Sequence, residues 1–275
     1  MKERNTMDNS EIGNRMKAYE SVSQTGLMKR TPVVVRVDGK AFHTLTKGFK
    51  KPFDDVLIDA MQDTMWYLCR NIQGCVLGYV QSDEISLLLI DYKNINTSAF
   101  FDYRVQKICS VVASMATMAF NTAYLKRVAN WSRAHPEAIK SDCDPDLREL
   151  YMTYVKQINR GMFDARCFNL PKEEVTNYFY WRQLDASRNS VLSVGYANFT
   201  QGELANLNCN QVKDKLINEK GINWNELMTI YKRGCCCVRR EVDGEDTWVV
   251  DMDIPKFVKD GRKYIDDLVF LEGNN

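Results

Sequence analysis

The sequence predicts an α+β protein: a ferredoxin-like domain, with helices on one face of an antiparallel sheet, followed by a C-terminal helical region and a β-hairpin. Short apolar runs and longer segments of helical periodicity come in the order strand, helix, strand, strand, helix, strand. The 275 residues are 45% hydrophobic and 27% charged, with 14 Gly and 6 Pro, which excludes collagen-like and largely disordered classes. A chain of this length buries about three-quarters of its unfolded surface, so its core needs neither disulfides nor a structural metal.

Four short apolar runs supply the predicted sheet. The β-branched run at residues 32–37 predicts the first strand, and residues 166–170 predict the fourth. The runs at residues 76–80 and 85–90, separated by polar residues only, predict a hairpin. In the split βαβ pattern the first and third strands are central neighbours. The end of the first strand, at Asp38, and the turn of the hairpin are therefore expected to meet at one edge of the sheet.

Apolar residues at three-and-four spacing predict helices over residues 53–70 and 99–127. Pro171 suits the first turn of a further helix that continues through Trp181.

The C-terminal part of the chain is predicted to be helical and to end in a hairpin. Asn210 is predicted to cap a helix, and Asp243-Gly244 is a typical hairpin turn. We predict a palm-like core over residues 1–135. The last strand, the helical extension and the hairpin follow over residues 136–275, in one compact unit with the core.

Charge is unevenly distributed along the chain. The formal net charge is +1, but residues 1–50 hold ten Lys and Arg against five Asp and Glu, while residues 51–100 hold three against seven. The total excludes a polybasic tail protein but not a nucleic-acid partner, because binding depends on where the charges lie.

Cysteine usage and the N-terminus indicate the compartment. The cysteine count of nine is odd and no C-x-x-C spacing occurs, which argues against a disulfide framework or a zinc ribbon. The run at residues 235–237 predicts a strand with two thiols on one side and one on the other. Residues 1–10 are polar, and no stretch approaches the length that spans a bilayer. We therefore predict a reduced, cytoplasmic protein without a membrane partner.

Acidic residues at the strand ends carry the main functional hypothesis. Asp38-Gly39 follows the first strand, and Ser82-Asp83-Glu84 lies between the strands of the hairpin. Carboxylates at one sheet edge repel each other unless a cation lies between them, and Mg²⁺ prefers carboxylate and phosphate oxygens. Gly39 has no Cβ, so a ligand can approach its backbone carbonyl. The alternative from spacing alone is that both pairs form ordinary solvated turns.

Three cations could hold phosphate groups near these carboxylates. Arg36 lies two residues before Asp38 and so points to the same side of the strand. Arg104 and Lys107 are three residues apart on a predicted helix and share a face on which they could grip a triphosphate. A solvated helix face is the alternative.

Two further segments could contact a nucleotide or RNA. Phe42 and His43 follow Asp38 closely and supply a ring suited to stacking on a base and an imidazole. A basic run followed directly by acidic residues predicts one basic strand and an acidic turn. Its members are Lys232, Arg233, Arg239 and Arg240. This strand is either a solvated face or a contact for RNA phosphates.

Ordered motifs along nearly the whole chain resemble the tRNA-histidine guanylyltransferase family. They are VVRVDGKAFH at residues 34–43, FKKP at 49–52, YVQSDEIS at 79–86, RVQKICS at 104–110, FDAR at 163–166, WRQLDASRNS at 181–190, GINW at 221–224 and YKRG at 231–234. No single motif is specific, but their order and spacing together are.

The resemblance implies a tRNA 5′-end nucleotidyltransferase on a fold similar to a polymerase palm, adding nucleotides in the 3′-to-5′ direction. ATP activates a 5′-monophosphate, and the 3′-hydroxyl of GTP or another nucleoside triphosphate then attacks it. The residues that match metal ligands for a pair of Mg²⁺ ions are Asp38, Gly39 and Asp83, and Glu84 joins the two carboxylates in the catalytic set. The implied nucleotide contacts are Arg36, Asp38, Gly39, Lys40, Ala41, Phe42, His43, Lys51, Asp54, Ser82, Asp83, Arg104 and Lys107. Contacts to RNA or to a second nucleotide are Asp185, Arg188, Asn189, Lys232, Arg233 and Arg240.

Two departures from the family pattern indicate a branch. Enzymes dedicated to tRNA-histidine carry a His-Ile-Asn-Asn run where this chain has SRNS at residues 187–190. The family's Lys-Pro-Asn-Asp is KPFD here, at residues 51–54. The pattern is similar to the guanylyltransferase-like branch, so the main hypothesis is template-dependent repair of 5′-truncated tRNA. Dedicated G addition to tRNA-histidine is the alternative.

Two other classes share the predicted sheet. A palm-fold nucleotide cyclase would use the same carboxylates and phosphate grip but would need no RNA site. An RNA-recognition module uses the same strand order but needs aromatic residues on its central strands, and residues 33–37 and 85–90 contain none. Family analogy implies a homo-oligomer, up to a tetramer.

Overall fold

A computed structural model describes residues 10–140 and 144–271, and the strands in these residues form one antiparallel sheet. The strands are β1 (Val33–Gly39), β2 (Cys75–Gln81), β3 (Glu84–Leu89), β4 (Phe163–Asn169), β5 (Cys235–Val242) and β6 (Glu245–Asp251). Their order is β4-β1-β3-β2-β5-β6. The first four strands have the ferredoxin-like order, and β1 and β3 are central neighbours as the sequence predicted. The predicted C-terminal hairpin extends the same sheet beyond β2.

Helices connect and cover these strands. They are α1 (Glu11–Ser21), α2 (Phe42–Leu45), α3 (Asp55–Asn71), α4 (Val105–Ala134), α5 (Pro145–Lys156), α6 (Lys172–Asn198), α7 (Gln201–Leu204), α8 (Cys209–Lys220), α9 (Thr229–Arg233) and α10 (Lys263–Val269). The predicted helices correspond to α3, α4, α6 and α8. The sequence did not predict α1 or α5, and α6 runs well beyond Trp181. Asn208, rather than Asn210, caps α8 through a capping box with Gln211.

The two faces of the sheet carry different helices. Val33, Val35 and Val37 of β1 pack with α3 and α4, whereas Val34 packs with α6 and α10 on the opposite face. The prediction that helices cover one face of the sheet is therefore correct for α3 and α4, which connect the strands. Helix α6, from the C-terminal region, covers part of the other face. Side chains at alternate positions of β1, including that of Asp38, point toward the α6 side.

Helix α4 corrects the expectation that no stretch approaches the length that spans a bilayer. It contains an 18-residue window with a mean hydropathy of 1.4, so its length and composition would allow it to cross a membrane. In the fold it packs against α3 and β4, and Ile108, Val112 and Phe120 are fully buried in the core. These are the contacts of a core helix.

The cysteines of the described residues are free thiols. Cys235 and Cys237 lie on the α3 side of β5 and Cys236 on the α6 side, as the alternation predicted, and all three are fully buried. The eight cysteines in the described ranges form no disulfide, and Cys143 lies outside these ranges.

Candidate active site

Asp38 and Asp83 meet at one edge of the sheet. Asp38 is the second-last residue of β1 and pairs in register with Glu84, the first residue of β3. The two-residue turn Ser82-Asp83 joins β2 to β3, with Ser82 at a positive φ of 49°. The Gly39 amide donates to the Asp83 carbonyl oxygen at 3.0 Å. The meeting of the two strand ends, predicted from the strand order, is confirmed.

The electrostatics of this edge favour a bound cation. Burial raises the pKa of the Asp83 carboxyl, and the nearby charge of Asp38 raises it further, although hydrogen bonds from its own backbone and from Ser82 act in the opposite direction. Among the described residues, no ion pair involves either carboxylate. An oxygen-rich pair without a protein cation fits Mg²⁺. The described ranges contain no cluster of three or more His, Cys, Asp or Glu, so further ligands would have to be carbonyl, phosphate or water oxygens.

The Glu84 carboxylate is committed to Arg182. Arg182 Nε and Nη2 donate to the two Glu84 carboxylate oxygens at 2.7 and 2.8 Å, and both side chains are less than one-tenth exposed. Burial raises the pKa of Glu84, and the Arg182 guanidinium opposes that rise. The prediction of Glu84 as a direct catalytic group is corrected, because its oxygens anchor α6 to the start of β3.

The loop after β1 places its residues differently from the prediction. Phe42 is 2% exposed, and its ring lies 5.2 and 5.1 Å from the rings of Phe120 and Phe163. The prediction that Phe42 stacks on a base is therefore wrong. A Cβ on Gly39 would lie 2.4 Å from the Phe42 ring, so this ring requires glycine at that position. His43 is exposed, and its ring nitrogen Nε2 lies 3.1 Å from the Thr44 hydroxyl.

A cavity of about 340 Å³ opens beside Asp83. Its walls come from the α2–α3 loop, the β2–β3 turn, α6 and the junction of α9 with β5. Residues predicted as site residues in these walls are Phe42, His43, Lys51, Asp54, Ser82, Asp83, Asn189 and Arg233. Polar residues in the walls that sequence reasoning missed are Gln62, Gln81, Ser190, Ser193 and Tyr231. They come from distant segments: Gln81, Ser190 and Tyr231 stand within the family motifs but were not singled out, and no motif contains Gln62 or Ser193.

Aromatic side chains and unpaired donors give the cavity its chemistry. Phe53 and Tyr231 stack with centroids 4.7 Å apart and planes inclined by 8°, and the Tyr231 hydroxyl donates to Asp55 at 2.8 Å. Gln62 Nε2 and Arg233 Nε are buried without a nitrogen or oxygen hydrogen-bond partner, although the Gln62 amide interacts with the Cys235 thiol and opposes the rise that burial causes in the pKa of that thiol. Buried donors without partners are rare, so these two atoms are suited to acceptors of a bound molecule.

Asp54 lies in the cavity wall with its carboxylate already satisfied. The side chain caps α3 at Leu57 and accepts hydrogen bonds from the Lys50 amide and the Tyr154 hydroxyl, at 3.0, 3.0 and 2.6 Å respectively. The residue is 5% exposed. It therefore shapes the loop that carries Lys51, which is exposed beside the cavity.

The predicted phosphate cations fall into two places. Arg36 lies on the same strand face as Asp38 and interacts with Glu84. Arg104 directly precedes α4 rather than sharing a face of it. The Val105 carbonyl lies 3.9 Å from the Cys167 thiol, and Cys167 is three residues along β4 from the pairing partner of Asp38. The start of α4 is thus about 10 Å of strand away from the carboxylate edge.

The basic run is not one strand. Lys232 and Arg233 end α9, Gly234 follows with a positive φ of 78°, and only then does β5 begin. Arg239 pairs with Asp246 at 2.7 Å, and Arg240 pairs with Asp251. The predicted basic strand is therefore corrected: its distal arginines are neutralised across the hairpin, and its proximal end reaches the cavity through Arg233.

Residues of α6 form a polar group beside the cavity. Asp185 accepts hydrogen bonds from Arg182 at 3.0 Å and from Arg188 at 2.6 Å, and Asn189 lies 3.5 Å from it. Arg188 is exposed, whereas Asn189 lines the cavity.

Comparison with known proteins bears on this site. The family model described as Thg1, tRNAHis guanylyltransferase, matches residues 13–171. The tRNA(His) guanylyltransferase of Schizosaccharomyces pombe is 27% identical over 243 residues, which covers 84% of this chain and 81% of that protein.

Solved structures give a higher identity. A bacterial tRNA(His) guanylyltransferase (Thg1)-like protein in complex with ATP is 41% identical, with a TM-score of 0.79, covering 95% of this chain and all of the other. Such a protein in complex with GTP is 39% identical, with a TM-score of 0.75 and the same coverage.

Proposed function

Because this chain belongs to the tRNAHis guanylyltransferase family and is a nucleotidyltransferase, we propose that it adds nucleotides to 5′-truncated tRNA in the 3′-to-5′ direction, guided by the opposing base. The observation that carries this proposal is the meeting of Asp38 with Asp83, which lines the cavity. A carboxylate pair beside a pocket of nucleoside size is an arrangement suited to phosphoryl transfer.

In the proposed reaction the 5′-monophosphate of tRNA first attacks the α-phosphate of ATP, which releases pyrophosphate and leaves an adenylylated 5′ end. The 3′-hydroxyl of a nucleoside triphosphate then loses its proton and attacks the 5′ phosphate of tRNA, forming the new phosphodiester bond as the bond to AMP breaks and AMP leaves. Asp38, Asp83 and the Gly39 carbonyl would hold Mg²⁺, which when bound lowers the pKa of an attacking hydroxyl and neutralises leaving phosphates. The cavity orients the incoming base. His43, Lys51 and Ser82 border the cavity and would contact the nucleotide, with the Lys40 and Ala41 backbone before them.

Template guidance is supported by the wall of the cavity. Phe53 and Tyr231 present stacked rings where the family pattern has an amide side chain at the first of these positions. Stacking accepts every base because every base has a π-face, whereas an amide distinguishes hydrogen-bonding edges. The bacterial Thg1-like proteins at 41% and 39% identity are in complex with ATP and GTP, which supports a nucleoside triphosphate as the bound molecule.

We also assign several cations to phosphate groups and to the RNA. Arg36 would contact phosphates at the carboxylate edge, and Arg104 with Lys107 would contact a phosphate group farther along β4. Arg188 and Arg233 would contact the RNA end. Lys232 donates to the Asn225 carbonyl at 2.6 Å, and Arg240 is paired, so both would contribute less.

The test is extension of a 5′-truncated tRNA with each nucleoside triphosphate in turn, with every base placed opposite the addition site. Addition of the complementary nucleotide in each case is expected. Addition of G whatever the opposing base would assign the chain to dedicated G addition. Release of a cyclic nucleotide without RNA extension would assign it to the cyclase class. Light scattering on the purified protein would test the proposed homo-oligomer, up to a tetramer.

A further inference from the structure

An exposed tryptophan lies beside the buried ion pair at the carboxylate edge. Trp181 is 52% exposed, although its neighbours Arg182 and Tyr178 on α6 are 6% and 8% exposed. The Arg182 guanidinium carbon lies 4.5 Å from the centroid of the indole ring, and the Tyr178 ring centroid lies 6.0 Å from it with planes inclined by 59°. These contacts fix the ring and leave about half of its surface open.

Trp181 is one side chain away from the carboxylates but outside the cavity. The same Arg182 donates to Glu84 at 2.7 and 2.8 Å, and Glu84 pairs with Asp38 and directly follows Asp83. Helix α6 contributes other positions to the cavity wall, namely Ala186, Asn189, Ser190 and Ser193. The site therefore offers a second aromatic surface, separate from the one formed by Phe53 and Tyr231.

Further arginines lie on the same side of the sheet as this second surface. Arg36 and Arg166 pair across β1 and β4, and they alternate with Val35 and Cys167, which pack on the α3 side, so both arginines point to the α6 side. The Arg166 side chain is 50% exposed and pairs with Asp164 at 3.2 Å, and the Arg188 side chain is 64% exposed and pairs with Asp185 at 2.6 Å, so phosphates would have to compete with these carboxylates. An aromatic ring for a base, flanked by guanidinium groups for phosphates, is the combination that binds single-stranded nucleic acid.

We propose that Trp181 is the stacking platform for the 5′-terminal base of the RNA substrate, while the cavity holds the base of the nucleotide being added. The inference rests on the proposed function, because it takes an RNA 5′ end as substrate. Separate platforms hold the two bases on either side of the Asp38 and Asp83 edge, where the phosphate and the hydroxyl react. Trp181 is thus a substrate-positioning residue and takes no part in bond formation.

The experiment uses a truncated tRNA whose 5′-terminal base is 2-aminopurine and whose 3′ end carries a fluorophore. Anisotropy of the fluorophore reports binding, and quenching of 2-aminopurine reports stacking. We expect quenching by the wild-type protein and its loss in Trp181→Leu. The KM for RNA should rise about tenfold, with the KM for the nucleotide unchanged. Trp181→Phe keeps a ring between Arg182 and Tyr178, should retain part of the quenching, and supplies the test if the Leu variant does not fold.

Trp66→Leu is the matched control. Trp66 is 37% exposed on α3 and has Arg70 over its ring at 4.4 Å, but it lies near Trp248 of β6. This variant should quench as the wild type does. Full quenching of 2-aminopurine by both Trp181 variants would overturn the inference. Binding of the RNA by the wild type without quenching of 2-aminopurine would overturn it as well. A change of oligomeric mass in the Trp181 variants with unchanged quenching would also overturn it and assign the surface to a second copy of the chain. Wild-type protein that binds and quenches RNA without extending it would instead contradict the proposed function.

Discussion

Arg182 of α6 donates hydrogen bonds to both carboxylate oxygens of Glu84, the residue that follows Asp83 at the start of β3. Arg182 also bonds to Asp185, which holds Arg188. Helix α6, which lines the cavity, is thereby fixed to the start of β3, directly after the predicted metal ligand Asp83. The Arg182–Glu84 pair therefore positions the site, and the Glu84 carboxylate oxygens are occupied by Arg182.

Breaking this pair should be costly for stability. Arg182→Met leaves the Glu84 carboxylate buried without a partner, and we expect the free energy of unfolding to fall by about 3 to 5 kcal/mol. The double variant Arg182→Met with Glu84→Met should recover much of that loss, because no buried charge remains. Urea denaturation measures both. Arg239→Met, which breaks the exposed pair with Asp246, should cost less than about 1 kcal/mol, and an equal loss there would show that burial is not the cause.

Asp83→Asn should abolish nucleotide addition and leave the fold intact. The substitution removes a charge from the proposed cation site, and it also removes the repulsion with Asp38. A loss of at least about 100-fold in kcat is expected from the removal of one electrostatic contact to the transition state. Single-turnover extension gives the rate, and circular dichroism reports the fold. Asp243→Asn, in the two-residue turn of the other hairpin, should behave as the wild type does. Near-normal activity of Asp83→Asn would remove the metal assignment.

Phe53→Ala should weaken binding of all nucleotides to a similar extent. Its ring stacks on Tyr231 in the cavity wall, and loss of a stacking surface is worth about 1 kcal/mol or more, so the KM for each nucleotide should rise at least about fivefold. The choice of the complementary nucleotide should be unchanged, because the template makes it. Steady-state extension with each nucleotide measures this. Phe270→Ala, an exposed ring outside the cavity, is the control. Loss of template fidelity in Phe53→Ala would show that the wall itself selects the base.

Gln62→Leu should weaken nucleotide binding without lowering the free energy of unfolding. The Gln62 Nε2 atom is buried without a nitrogen or oxygen partner, and a thiol is a weak acceptor, so an apolar side chain of similar size should leave the free energy of unfolding unchanged or raise it. If Nε2 donates to the nucleotide, the KM for nucleotide should rise about tenfold, the loss expected for a hydrogen bond worth about 1.4 kcal/mol. Thermal unfolding and steady-state kinetics on the same preparation compare the two effects. An unchanged KM would place the nucleotide elsewhere in the cavity.

Local sequence patterns could not predict the features that depend on contacts between distant residues. Helix α5 was not predicted, because its first residues belong to a polar, proline-containing connection; its N-terminus is defined by the Asp144 cap and Pro145. The phosphate grip predicted from Arg104 and Lys107 assumed that the helix begins near the carboxylate edge, but the packing of α4 against β4 places its start near Cys167. Phe42 could not be assigned to the core from sequence, because an aromatic residue after a strand is equally suited to a base or to the interior.

What the sequence determined by itself was the order of strands and helices and the meeting of Asp38 with Asp83. The physical reason is that strand periodicity and connection length are local properties, and in the ferredoxin-like order they decide which strand ends share an edge. Only the tertiary structure decided which groups are free to act at that edge. It commits Glu84 to Arg182, assembles the cavity from distant segments, and exposes Trp181 beside the carboxylates. These are contacts between residues about 100 or more apart in the chain, and packing rather than local propensity selects them.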